Sequence, residues 1–575
     1  MNLTLKYFKM KKGILLMLLL FMILASCKKE VENQADFIYF GGDIITMEGD
    51  QAQYAEAIAV KSGKIFFVGS KAEAEKLKGD KTEMRDLEGK TLLPGFIDPH
   101  SHFMSSLAMN SQANCQPAPA GEGNSVEGII KALKKLKEDK KIADGETILG
   151  YGYDDNAMPN GILLNRDDLD KAFPNNAVIV IHVSMHGVVM NSKAMALYNI
   201  NDKTVTVPGG IIVRKPGTNE PYGLIMEMSY LPIFAAMPKP SIETQLSQLK
   251  EGQMLYAAAG VTTAQEGATH MDEVTVLDRG AKEGKLFIDV ISYPLFTEMD
   301  TLFKVYPPKD FGKYNNHFKL GGIKITIDGS PQGRTAFFTT PYLTGGPGGE
   351  KNWRGEPSFS QTVGNQLLKR IYDAGLQSAF HANGDAAIDM CIKAHEFASA
   401  GNPTKERRTI IIHGQFARKD QLDKFFEYKL IPSFYTEHTF FFADTHIKNR
   451  GMAQASFISP VKAAFDKGLR PTNHTDFNVV PIDQMFVIWS AVNRISRNGV
   501  LIGADQRISA YQALQAITTN AAYQYFEENN KGSLKKGKLA DLVILDNNPV
   551  KVDAMKIKEI KVVETIKEGG TIFKK

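Results

Sequence analysis

Two histidines one residue apart close an apolar segment near the start of the chain, Leu92-Leu93-Pro94-Gly95-Phe96-Ile97-Asp98-Pro99-His100-Ser101-His102. Alternate side chains of a β-strand point to the same face, so His100 and His102 are expected to face the same way. Two imidazoles on one face form half of a site for zinc or a similar divalent ion. Two unrelated histidines are the alternative, and further ligands elsewhere in the chain must decide between them.

Further ionisable side chains lie in or at the ends of later apolar segments. They are Lys324 within Gly322–Ile327, His381 after Gln377–Phe380, His413 after Thr409–Ile412 and Asp476 at the end of Pro471–Asp476. Each has an ordinary alternative: a hydrogen-bonded core histidine, a helix-capping aspartate or a lysine in a buried ion pair. A buried lysine is costly unless its charge is paired or removed. Because all four side chains lie in or at the ends of apolar segments, one shared functional site is favoured.

The central part of the chain alternates short apolar segments with helical ones, which is typical of a parallel α/β sheet. Eight segments are predicted strands: Gly95–His102, Val261–Glu266, Phe287–Tyr293, Gly322–Ile327, Gln377–His381, Thr409–His413, Ile431–Tyr435 and Pro471–Asp476. Eight such units predict a (β/α)8 TIM barrel, whose active site lies at the carboxyl ends of the strands. The gap after the first strand is too long for one helix. Residues of about 114–253 are therefore expected to form an insertion, with a strand at Ala177–Val183.

Both ends of the chain have the pattern of short strands and tight turns. Ile58–Val60 and Ile65–Val68 flank the turn Lys61-Ser62-Gly63-Lys64, which predicts a hairpin. Ala540–Leu545 and Val562–Ile566 are predicted strands near the other end. We therefore expect residues 36–92 and 531–575 to form one small β-sandwich, with the barrel domain between them at residues 93–530.

The first 27 residues have the features of a secretion signal. Basic residues precede the apolar run Gly13–Leu24, which is short for a bilayer span. Leu24-Ala25-Ser26-Cys27 follows and resembles a bacterial lipobox, in which the cysteine is lipidated; an ordinary signal with a chance cysteine is the alternative. We expect a signal peptide over residues 1–27, a tether over residues 28–35 and a lipid anchor at Cys27. The protein would then be held on a membrane of the cell envelope, on its periplasmic side or at the cell surface.

Composition excludes one class of partner. The 575 residues are 43% hydrophobic and carry a net charge of only +4, with scattered lysines, so nothing predicts nucleic-acid binding. The densest basic run, Lys131–Lys141, is predicted to be the exposed face of an amphipathic helix. Of the three cysteines, Cys27 is expected to carry the lipid, and Cys115 and Cys391 are expected to be two buried thiols rather than one disulfide.

Several stretches resemble the amidohydrolase superfamily, in particular its amidohydrolase-3 branch. They are LLPGFIDPHSH, GIKITIDGSPQGRTA, HANGDAAID, IIIHGQF, HTDFNVVP and KGSLKKGKLADLVILD. The resemblance covers residues of about 36–573. The segment from Glu437 to His446 is similar to the sub-branch that contains N-substituted formamide deformylases.

This resemblance implies a metal-dependent hydrolase. The implied ligands are His100 and His102 for one metal ion and His381 and His413 for a second. Lys324 matches a lysine that carries a carbamate between two metal ions, although some relatives keep a single metal. Asp476 matches the catalytic acid/base, which would move a proton from a metal-activated water to the leaving nitrogen. The implied cofactor is zinc or another divalent ion, one or two per chain, with a carboxylated Lys324 as an option.

Five further residues are expected near the substrate. They are His186, Arg334, His438, Asp444 and His446. His186 matches a histidine that the family brings over the pocket from the insertion, and a solvent-facing loop position is the alternative. Arg334 follows the lysine strand, in either a substrate loop or a plain connection. The apolar stretch Phe440–Ala443 is either core packing or a pocket wall that suits a hydrophobic substituent.

The resemblance implies hydrolysis of a non-peptide C–N bond in a small amide, an N-substituted formamide or a cyclic imide. Two alternatives stay open: an N-acyl-amino-acid or ester hydrolase of the same fold, and a lipoprotein that binds a small molecule without turning it over. The complete set of expected site residues favours an enzyme. The expected partners are a small amide-type substrate and, through the lipid, a membrane, and a homodimer is one alternative for the oligomeric state.

Overall fold

The computed structural model describes residues 34–159, 162–207, 210–237, 240–347 and 349–575. The predicted signal peptide, Cys27 and all but the last two residues of the predicted tether lie outside these ranges. No helix within them is long and apolar enough to cross a membrane. Cys115 and Cys391 are both buried free thiols, as predicted.

Strands and helices of the described residues are numbered in chain order. The strands are β1 Phe37–Ile45, β2 Tyr54–Lys61, β3 Lys64–Gly69, β4 Glu83–Asp86, β5 Thr91–Pro94, β6 Phe96–Ile97, β7 Ala113–Asn114, β8 Thr147–Tyr153, β9 Ala177–His182, β10 Gly187–Met190, β11 Gly210–Arg214, β12 Pro221–Glu227, β13 Val261–Thr269, β14 Asp289–Pro294, β15 Tyr314–Asn315, β16 Phe318–Leu320, β17 Gly322–Thr326, β18 Gln377–Ala382, β19 Ile410–His413, β20 Ile431–Phe434, β21 Thr472–Asn473, β22 Leu542–Leu545, β23 Val562–Lys567 and β24 Gly570–Lys574. The α-helices are α1 Lys71–Glu75, α2 Phe103–Ala108, α3 Val126–Asp139, α4 Arg166–Ala172, α5 Ser192–Leu197, α6 Leu231–Ala236, α7 Ile242–Ala258, α8 Met271–Lys282, α9 Met299–Val305, α10 Gln361–Asp373, α11 Asp385–Ala398, α12 Lys419–Tyr428, α13 His438–Phe441, α14 Ala443–Arg450, α15 Met452–Ser456, α16 Val461–Asp466, α17 Gln484–Asn493, α18 Ala510–Ala516 and α19 Thr519–Gln524. Short 3-10 helices lie at Met109–Ser111, Asp155–Ala157, Phe296–Glu298, Pro308–Asp310, Ala504–Gln506 and Ala554–Glu559.

The central part of the chain contributes eight parallel strands, and each overlaps one of the eight predicted segments. They are β6, β13, β14, β17, β18, β19, β20 and β21. Neighbours in this order pair in parallel, except at two seams, one between β14 and β17 and one between β21 and β6. The order and approximate position of the predicted strands are therefore confirmed.

The two seams leave β6, β13 and β14 in one sheet, which the short strands β15 and β16 complete to five, and β17–β21 in a second sheet of five strands. The backbone therefore does not form the single closed ladder of an ideal barrel. One seam, between β14 and β17, is crossed by a single bridge between Leu295 and Lys324. At the other seam, β6 and β21 are only two residues long each. Side chains replace the ladder there: the buried carboxylate of Asp98 accepts a hydrogen bond of 2.5 Å from the hydroxyl of Thr475.

The largest hydrophobic core lies between these strands and the helices that follow them. Helix α10 illustrates how the helices are fixed. Its first turn is capped by Ser360, whose hydroxyl accepts the backbone N–H of Val363, and it buries Leu368 and Ile371 completely. Full burial of a side chain of this size contributes about 1.5–3 kcal/mol. The helices therefore hold the strands, and with them the strand ends, in fixed positions.

Both ends of the chain meet in one eight-stranded sheet, with β1–β5 from one end and β22–β24 from the other. Strand β22 pairs antiparallel with β5, so that Val543 lies opposite Leu93. The predicted hairpin is confirmed as β2 and β3. Its turn places Gly63 at a φ of 74°, a conformation that glycine adopts without strain. Hydrogen bonds join seven of these strands in one path, β4 pairs with β1 off that path, and a two-layered sandwich stays a prediction.

Between β6 and β13 the chain forms a second unit, the six-stranded sheet β7–β12. Strand β9 corresponds to the predicted strand at Ala177–Val183 and is buried along its whole length. Val180 packs into the core on one face of this sheet, and Ile179 and Ile181 pack into the core on the other. Coverage of both faces explains why this segment is an unbroken apolar run in the sequence. The turn after β9 carries His186.

A buried ion network fastens the central strands to the terminal sheet. Asp289, at the start of β14, accepts from Lys531 at 2.5 Å and from Lys567 of β23 at 2.8 Å. Lys567 also bonds Asp541 at 2.9 Å. Burial alone would raise the pKa of Asp289, but the two lysines outweigh it and hold that pKa well below its ordinary value. The network therefore depends on an ionised Asp289.

Candidate active site

Three side chains from different strand ends converge on one point. His100 follows β6, His413 ends β19 and Asp476 follows β21. One ligand atom from each lies within 4.8 Å of the others, and all three residues are buried. Because the carboxyl ends of parallel barrel strands meet at one rim, the structure brings together residues that the sequence could only place separately.

Hydrogen bonds of its neighbours determine where His100 carries its proton. Gln265 donates through Nε2 to the hydroxyl of Tyr525 at 2.9 Å, so its Oε1 is the acceptor that faces Nδ1 of His100 at 2.5 Å. His100 therefore carries its proton on Nδ1 and presents a lone pair on Nε2. That Nε2 lies 3.3 Å from Oδ1 of Asp476. A nitrogen lone pair and a carboxylate oxygen thus face each other with no proton between them.

The same oxygen of Asp476 has no hydrogen-bond donor within the described residues, although it is buried. Nε2 of His102 lies 3.5 Å from it. A buried acceptor left unpaired costs about 1–3 kcal/mol, and more when it is charged. A divalent cation would satisfy the carboxylate and the imidazole lone pairs together, and nitrogen and carboxylate oxygen are ligands that zinc accepts. The residues present therefore fit a metal ion.

A further line of imidazoles extends from His413. Its Nε2 lies 3.3 Å from Nδ1 of His381, and its Nδ1 lies 3.1 Å from Nε2 of His474. His474 is bonded in turn to the hydroxyl of Ser433 at 3.0 Å. The rings of His100 and His413 are only 5.5 Å apart. The two histidine pairs that the family resemblance assigns to separate metal ions therefore lie in one continuous cluster, which also contains His474.

Lys324 lies in β17 with its side chain buried at the same place. Its Nζ is 3.4 Å from Nε2 of His100, and it forms no ion pair with a described carboxylate. Burial lowers the pKa of Lys324 to about 7, although the charges of Asp476 and Glu266 act in the opposite direction. The ordinary alternative, a lysine in a close ion pair, is therefore not what the structure shows, and the amine has a neutral form near neutral pH.

Burial sets the protonation states of the cluster. It lowers the pKa of His100 to about 4 and holds the pKa values of His381 and His413 well below their ordinary range. These imidazoles are neutral at physiological pH, which is the form that binds a metal. Burial alone would raise the pKa of Asp476, but the imidazoles of His413, His100 and His102 outweigh it. Asp476 is therefore a carboxylate, able to accept a proton.

Two buried carboxylates near the rim were not singled out from the sequence. Glu266, within β13, accepts the backbone N–H of Met104 at 2.5 Å, and burial raises its pKa to about 8. Asp328 accepts three backbone N–H groups, those of Phe337, Asn383 and Gly384. Burial raises the pKa of Asp328 to about 7, and its Oδ1 lies 3.9 Å from Nε2 of His381. Both follow or end predicted strands, so the rule that selected Asp476 would also have found them.

His186 comes to the rim from the inserted sheet. Its ring lies 6.0 Å from that of His381, and its Nδ1 is 3.0 Å from a carboxylate oxygen of Glu227 at the end of β12. Burial alone would lower the pKa of His186, but the charge of Glu227 outweighs it and the pKa is raised. The structure therefore places His186 beside the histidine cluster rather than in open solvent.

The four remaining predicted substrate residues lie in different surroundings. His438 and His446 stack at 5.2 Å and share a hydrogen bond of 2.9 Å, beside Tyr435 and within the field of Asp476. Asp444 accepts a bond from the hydroxyl of Ser496 at 3.1 Å. Arg334 donates to the backbone carbonyl of Gly346 at 3.1 Å. The structure thus brings His438 closest to the cluster, whereas Asp444 and Arg334 have local partners of their own.

Comparison with known proteins agrees with this arrangement. The sequence profile of the Amidohydrolase family matches residues 83–573, and the chain belongs to that family. The superfamily predicted from the sequence is therefore confirmed.

Among its relatives, Protein LONG AFTER FAR-RED 3 of Arabidopsis thaliana is 28% identical, over 89% of this chain and 88% of that one. The N-substituted formamide deformylase of Arthrobacter pascens is 23% identical, over 90% of this chain and 94% of that one. Among solved structures, an uncharacterized metal-dependent hydrolase from Pyrococcus horikoshii OT3 superposes with a TM-score of 0.71 at 23% identity, covering 90% of this chain and 99% of that one. The chain is thus an amidohydrolase-family hydrolase with an α/β TIM-barrel-like fold.

Proposed function

We propose that this protein is a metal-dependent enzyme that hydrolyses a non-peptide C–N bond in a small amide, an N-substituted formamide or a cyclic imide. The observation that carries the proposal is the unpaired oxygen of Asp476, which faces the Nε2 lone pair of His100. An ionised carboxylate beside neutral imidazoles is a site for a cation and a base at the same time. Hydrolysis of an amide needs both, since it needs an activated carbonyl and a group that moves a proton.

The residues that would hold the metal are the four histidines of the rim and Asp476. The histidines are His100, His102, His381 and His413. When bound there, zinc or a similar divalent ion polarises a carbonyl and lowers the pKa of water to about 7. One or two ions per chain are compatible with a cluster in which all these side chains are continuous.

Lys324 bears on whether the site holds one metal ion or two. Its buried amine has a neutral form near pH 7, because burial lowers its pKa. A neutral amine can add to carbon dioxide, forming an N–C bond and releasing one proton, and the product is an anionic carbamate. A carboxylated Lys324 would supply oxygen ligands beside His100, from which its Nζ is 3.4 Å distant. We propose this modification as the reason for a lysine at this position of β17.

Asp476 is proposed to move the proton. It is ionised at neutral pH, so it can accept a proton from the attacking water and then deliver it to the nitrogen that leaves. Its position is fixed on the backbone side, where its N–H donates to the carbonyl of His100 at 3.1 Å. Asp98 reinforces this position because it also binds the neighbouring Thr475 at 2.5 Å. The base is therefore held still relative to the first two histidines.

Other residues are proposed to orient the imidazoles. Gln265 fixes the ring of His100 through Nδ1, and His474 with Ser433 fixes that of His413. Partners of this kind determine which ring nitrogen carries the proton, and their loss typically lowers metal affinity or activity by about 10–100-fold. None of them needs to touch the substrate.

The substrate class rests on two observations. One relative is an N-substituted formamide deformylase. The stretch Phe440–Ala443 lies next to His438, and the ring of Phe442 is 4.8 Å from that of His438. An apolar wall at this position suits an amide with a hydrophobic substituent.

We also propose that lipid on Cys27 anchors the enzyme to the cell envelope, because the lipobox-like segment precedes a short polar tether.

The test measures metal and turnover on the same samples. Purified mature protein should contain zinc or a similar ion at one to two per chain and should hydrolyse members of a panel of formamides, cyclic imides and acyl-amines. The double substitution His100→Ala and His102→Ala should remove most metal and activity. His270→Ala is the matched control, because His270 is paired with Glu298 instead. Unchanged metal content in the double variant would overturn the site assignment.

A further inference from the structure

Tyr435 directly follows β20, the seventh barrel strand, and its side chain points into the mouth of the barrel. Along β20, Ser433 bonds His474 of the histidine cluster, whereas Phe434 packs into the core between the strands and the helices. Alternate side chains of a strand share a face, so Tyr435 lies on the inner face with Ser433. Because it follows the carboxyl end of its strand, it belongs to the same rim as the candidate metal ligands.

Ring contacts agree with this direction and hold the tyrosine ring in place. Tyr435 stacks on His474 with 5.3 Å between ring centres and an angle of 29°. It also meets His438 edge-on, with 4.5 Å between ring centres. The ring of His413, a candidate metal ligand, is 6.2 Å away. Two imidazoles therefore fix the tyrosine ring beside the candidate metal site before any substrate binds.

The hydroxyl of Tyr435 is buried and has no hydrogen-bond partner within the described part of the chain. Buried tyrosine hydroxyls normally have such a partner. Burial raises the pKa of Tyr435 well above its ordinary value, and the charges of Glu437 and Asp476 add to the effect. The hydroxyl therefore keeps its proton at neutral pH and is a donor that lacks an acceptor.

Apolar side chains from three segments pack around this tyrosine. Val183 follows β9 of the inserted sheet, Phe442 lies between α13 and α14, and Val479 and Val480 follow the proposed base. None of these four side chains can accept a hydrogen bond. Val479 also donates its backbone N–H to the carbonyl of Asp476 at 2.8 Å, which ties this apolar wall to the candidate active site. A substrate bound beside the wall is therefore the acceptor that would complete it.

We propose that Tyr435 is a further catalytic residue, whose hydroxyl donates a hydrogen bond to the carbonyl oxygen of the bound amide. This inference rests on the proposed amide hydrolysis and adds a residue to it. When water adds to the carbonyl carbon, a C–O bond forms, one proton of the water passes to Asp476, and the π electron pair of the carbonyl moves to its oxygen. That oxygen gains negative charge, whereas the lone pair of an amide nitrogen is delocalised and accepts poorly. A donor that is fixed in advance stabilises such an oxygen without reorganisation.

The kinetic test removes only the hydroxyl. Tyr435→Phe should lower kcat for N-(2-phenylethyl)formamide by about 10²-fold, the scale for losing one donor to a developing oxyanion. KM and metal content should stay near the wild-type values, because the hydroxyl acts mainly after the substrate has bound and is not a metal ligand. Tyr230→Phe is the matched control, since its hydroxyl is also buried without a partner among the described residues but lies in the core of the inserted sheet. That variant should keep the wild-type kcat.

Two further measurements separate a catalytic role from a structural one. Tyr435→Phe should not lower Tm, because it removes no hydrogen bond within the described part of the chain. Tyr293→Phe should lower Tm, because Tyr293 donates to Gln377 at 2.5 Å. The second measurement uses the thioformamide analogue, whose sulfur is a weaker acceptor than oxygen. On that substrate Tyr435→Phe should change kcat/KM by less than about threefold, which assigns the lost interaction to the carbonyl oxygen.

A binding test does not depend on turnover. Benzohydroxamate carries a carbonyl oxygen beside an aromatic ring, and its affinity for the metal-loaded protein can be measured by calorimetry. Tyr435→Phe should weaken this binding by about tenfold, the scale for one hydrogen bond to a charged acceptor. Tyr230→Phe should leave the affinity unchanged.

The outcomes separate this inference from the proposed function. Hydrolysis that Tyr435→Phe leaves within about threefold of wild type, or an equal loss on the oxygen and sulfur substrates, overturns the role of Tyr435 and leaves the amidohydrolase proposal standing. A Tm lowered as far as in Tyr293→Phe also overturns it, since the hydroxyl would then have a partner inside the protein. Benzohydroxamate binding that depends on Tyr435, in a protein that hydrolyses no amide of the panel, supports the contact and overturns the proposed function. Equal affinity in wild type and Tyr435→Phe overturns the contact itself.

Discussion

Replacing Asp476 with asparagine should stop most turnover and leave the fold and most of the metal in place. Asparagine has nearly the same shape, but its amide cannot accept the proton of the attacking water. Loss of a general acid/base lowers rates by about 10²–10⁴-fold, which corresponds to about 2.7–5.5 kcal/mol of activation free energy. Since Oδ1 of Asp476 accepts no hydrogen bond from the described residues, the substitution removes none at that atom.

The structure also limits the effect on metal binding. Asp476 contributes one carboxylate oxygen near His100 and His102, at 3.3 Å and 3.5 Å from their Nε2 atoms. The imidazoles remain in the variant, so occupancy should fall only modestly. The assay measures kcat on any active amide together with metal content of the same sample. Asp373→Asn is the control, because Asp373 is an exposed partner of Lys369 on helix α10.

Turnover near the wild-type level with metal retained would refute the role of Asp476. Another group would then have to move the proton, and His186 is the nearest alternative from the inserted sheet, since its ring is 6.0 Å from that of His381. His186→Gln measured beside Asp476→Asn distinguishes the two. If only His186→Gln loses turnover, the proton carrier belongs to the insertion and not to the barrel.

Three further predictions concern other parts of the molecule. Lys324→Ala should lose most metal and activity, and a short carboxylic acid added with metal should restore part of both; an unaffected variant would contradict the carbamate. Cys27→Ser should release soluble, active protein or leave an uncleaved precursor in cell fractionation, and native protein found soluble with Met1 intact would contradict lipidation. Asp289→Asn should destabilise the fold by more than about 1 kcal/mol in urea unfolding, because two buried lysines lose their shared carboxylate, although Lys567 keeps Asp541 and Lys531 keeps Glu527; a smaller change would show that the network is dispensable.

The strand positions could be predicted because a buried parallel strand is a short apolar run in the sequence. A strand that is covered on both faces is mainly apolar, as in the run Ile410–Ile412 of β19. This apolar pattern does not identify a strand that is only two residues long. Strands β6 and β21 are two residues long, and the seam between them is closed by the side chains of Asp98 and Thr475. Periodicity of hydrophobic residues carries no information about such a contact.

The rim residues could be predicted for a similar reason, since each comes in or after an apolar strand. His474 is a further residue of this kind. It precedes Asp476 by two residues, the same spacing that marked His100 and His102 as neighbours on one face. In the structure His474 bonds His413 at 3.1 Å. The spacing in the sequence therefore indicates His474 as well.

Contacts between distant segments could not be predicted. Gln265 fixes the proton of His100 only because Tyr525, from the far end of the chain, accepts from its amide. Nothing in the residues around Gln265 indicates that partner. Arg497 is similar: its Nε and Nη2 are buried without a hydrogen-bond partner among the described residues, beside side chains of the insertion and of helix α13. A single sequence shows an arginine near a helix end, and solvent exposure is the ordinary expectation for it.

The proposed chemistry therefore relies on the part of the fold that the core holds in place. The histidines and Asp476 lie at the ends of barrel strands, where the core holds them regardless of the substrate. Phe440 and Phe441 lie in helix α13, Phe486 lies in helix α17, and Arg497 follows α17, so these side chains belong to the segments that connect the strands. Substitutions at the rim should therefore lower kcat for every substrate by similar factors. A rim substitution that lowered kcat for one amide and spared another would mean that the substrate is also recognised at the metal site.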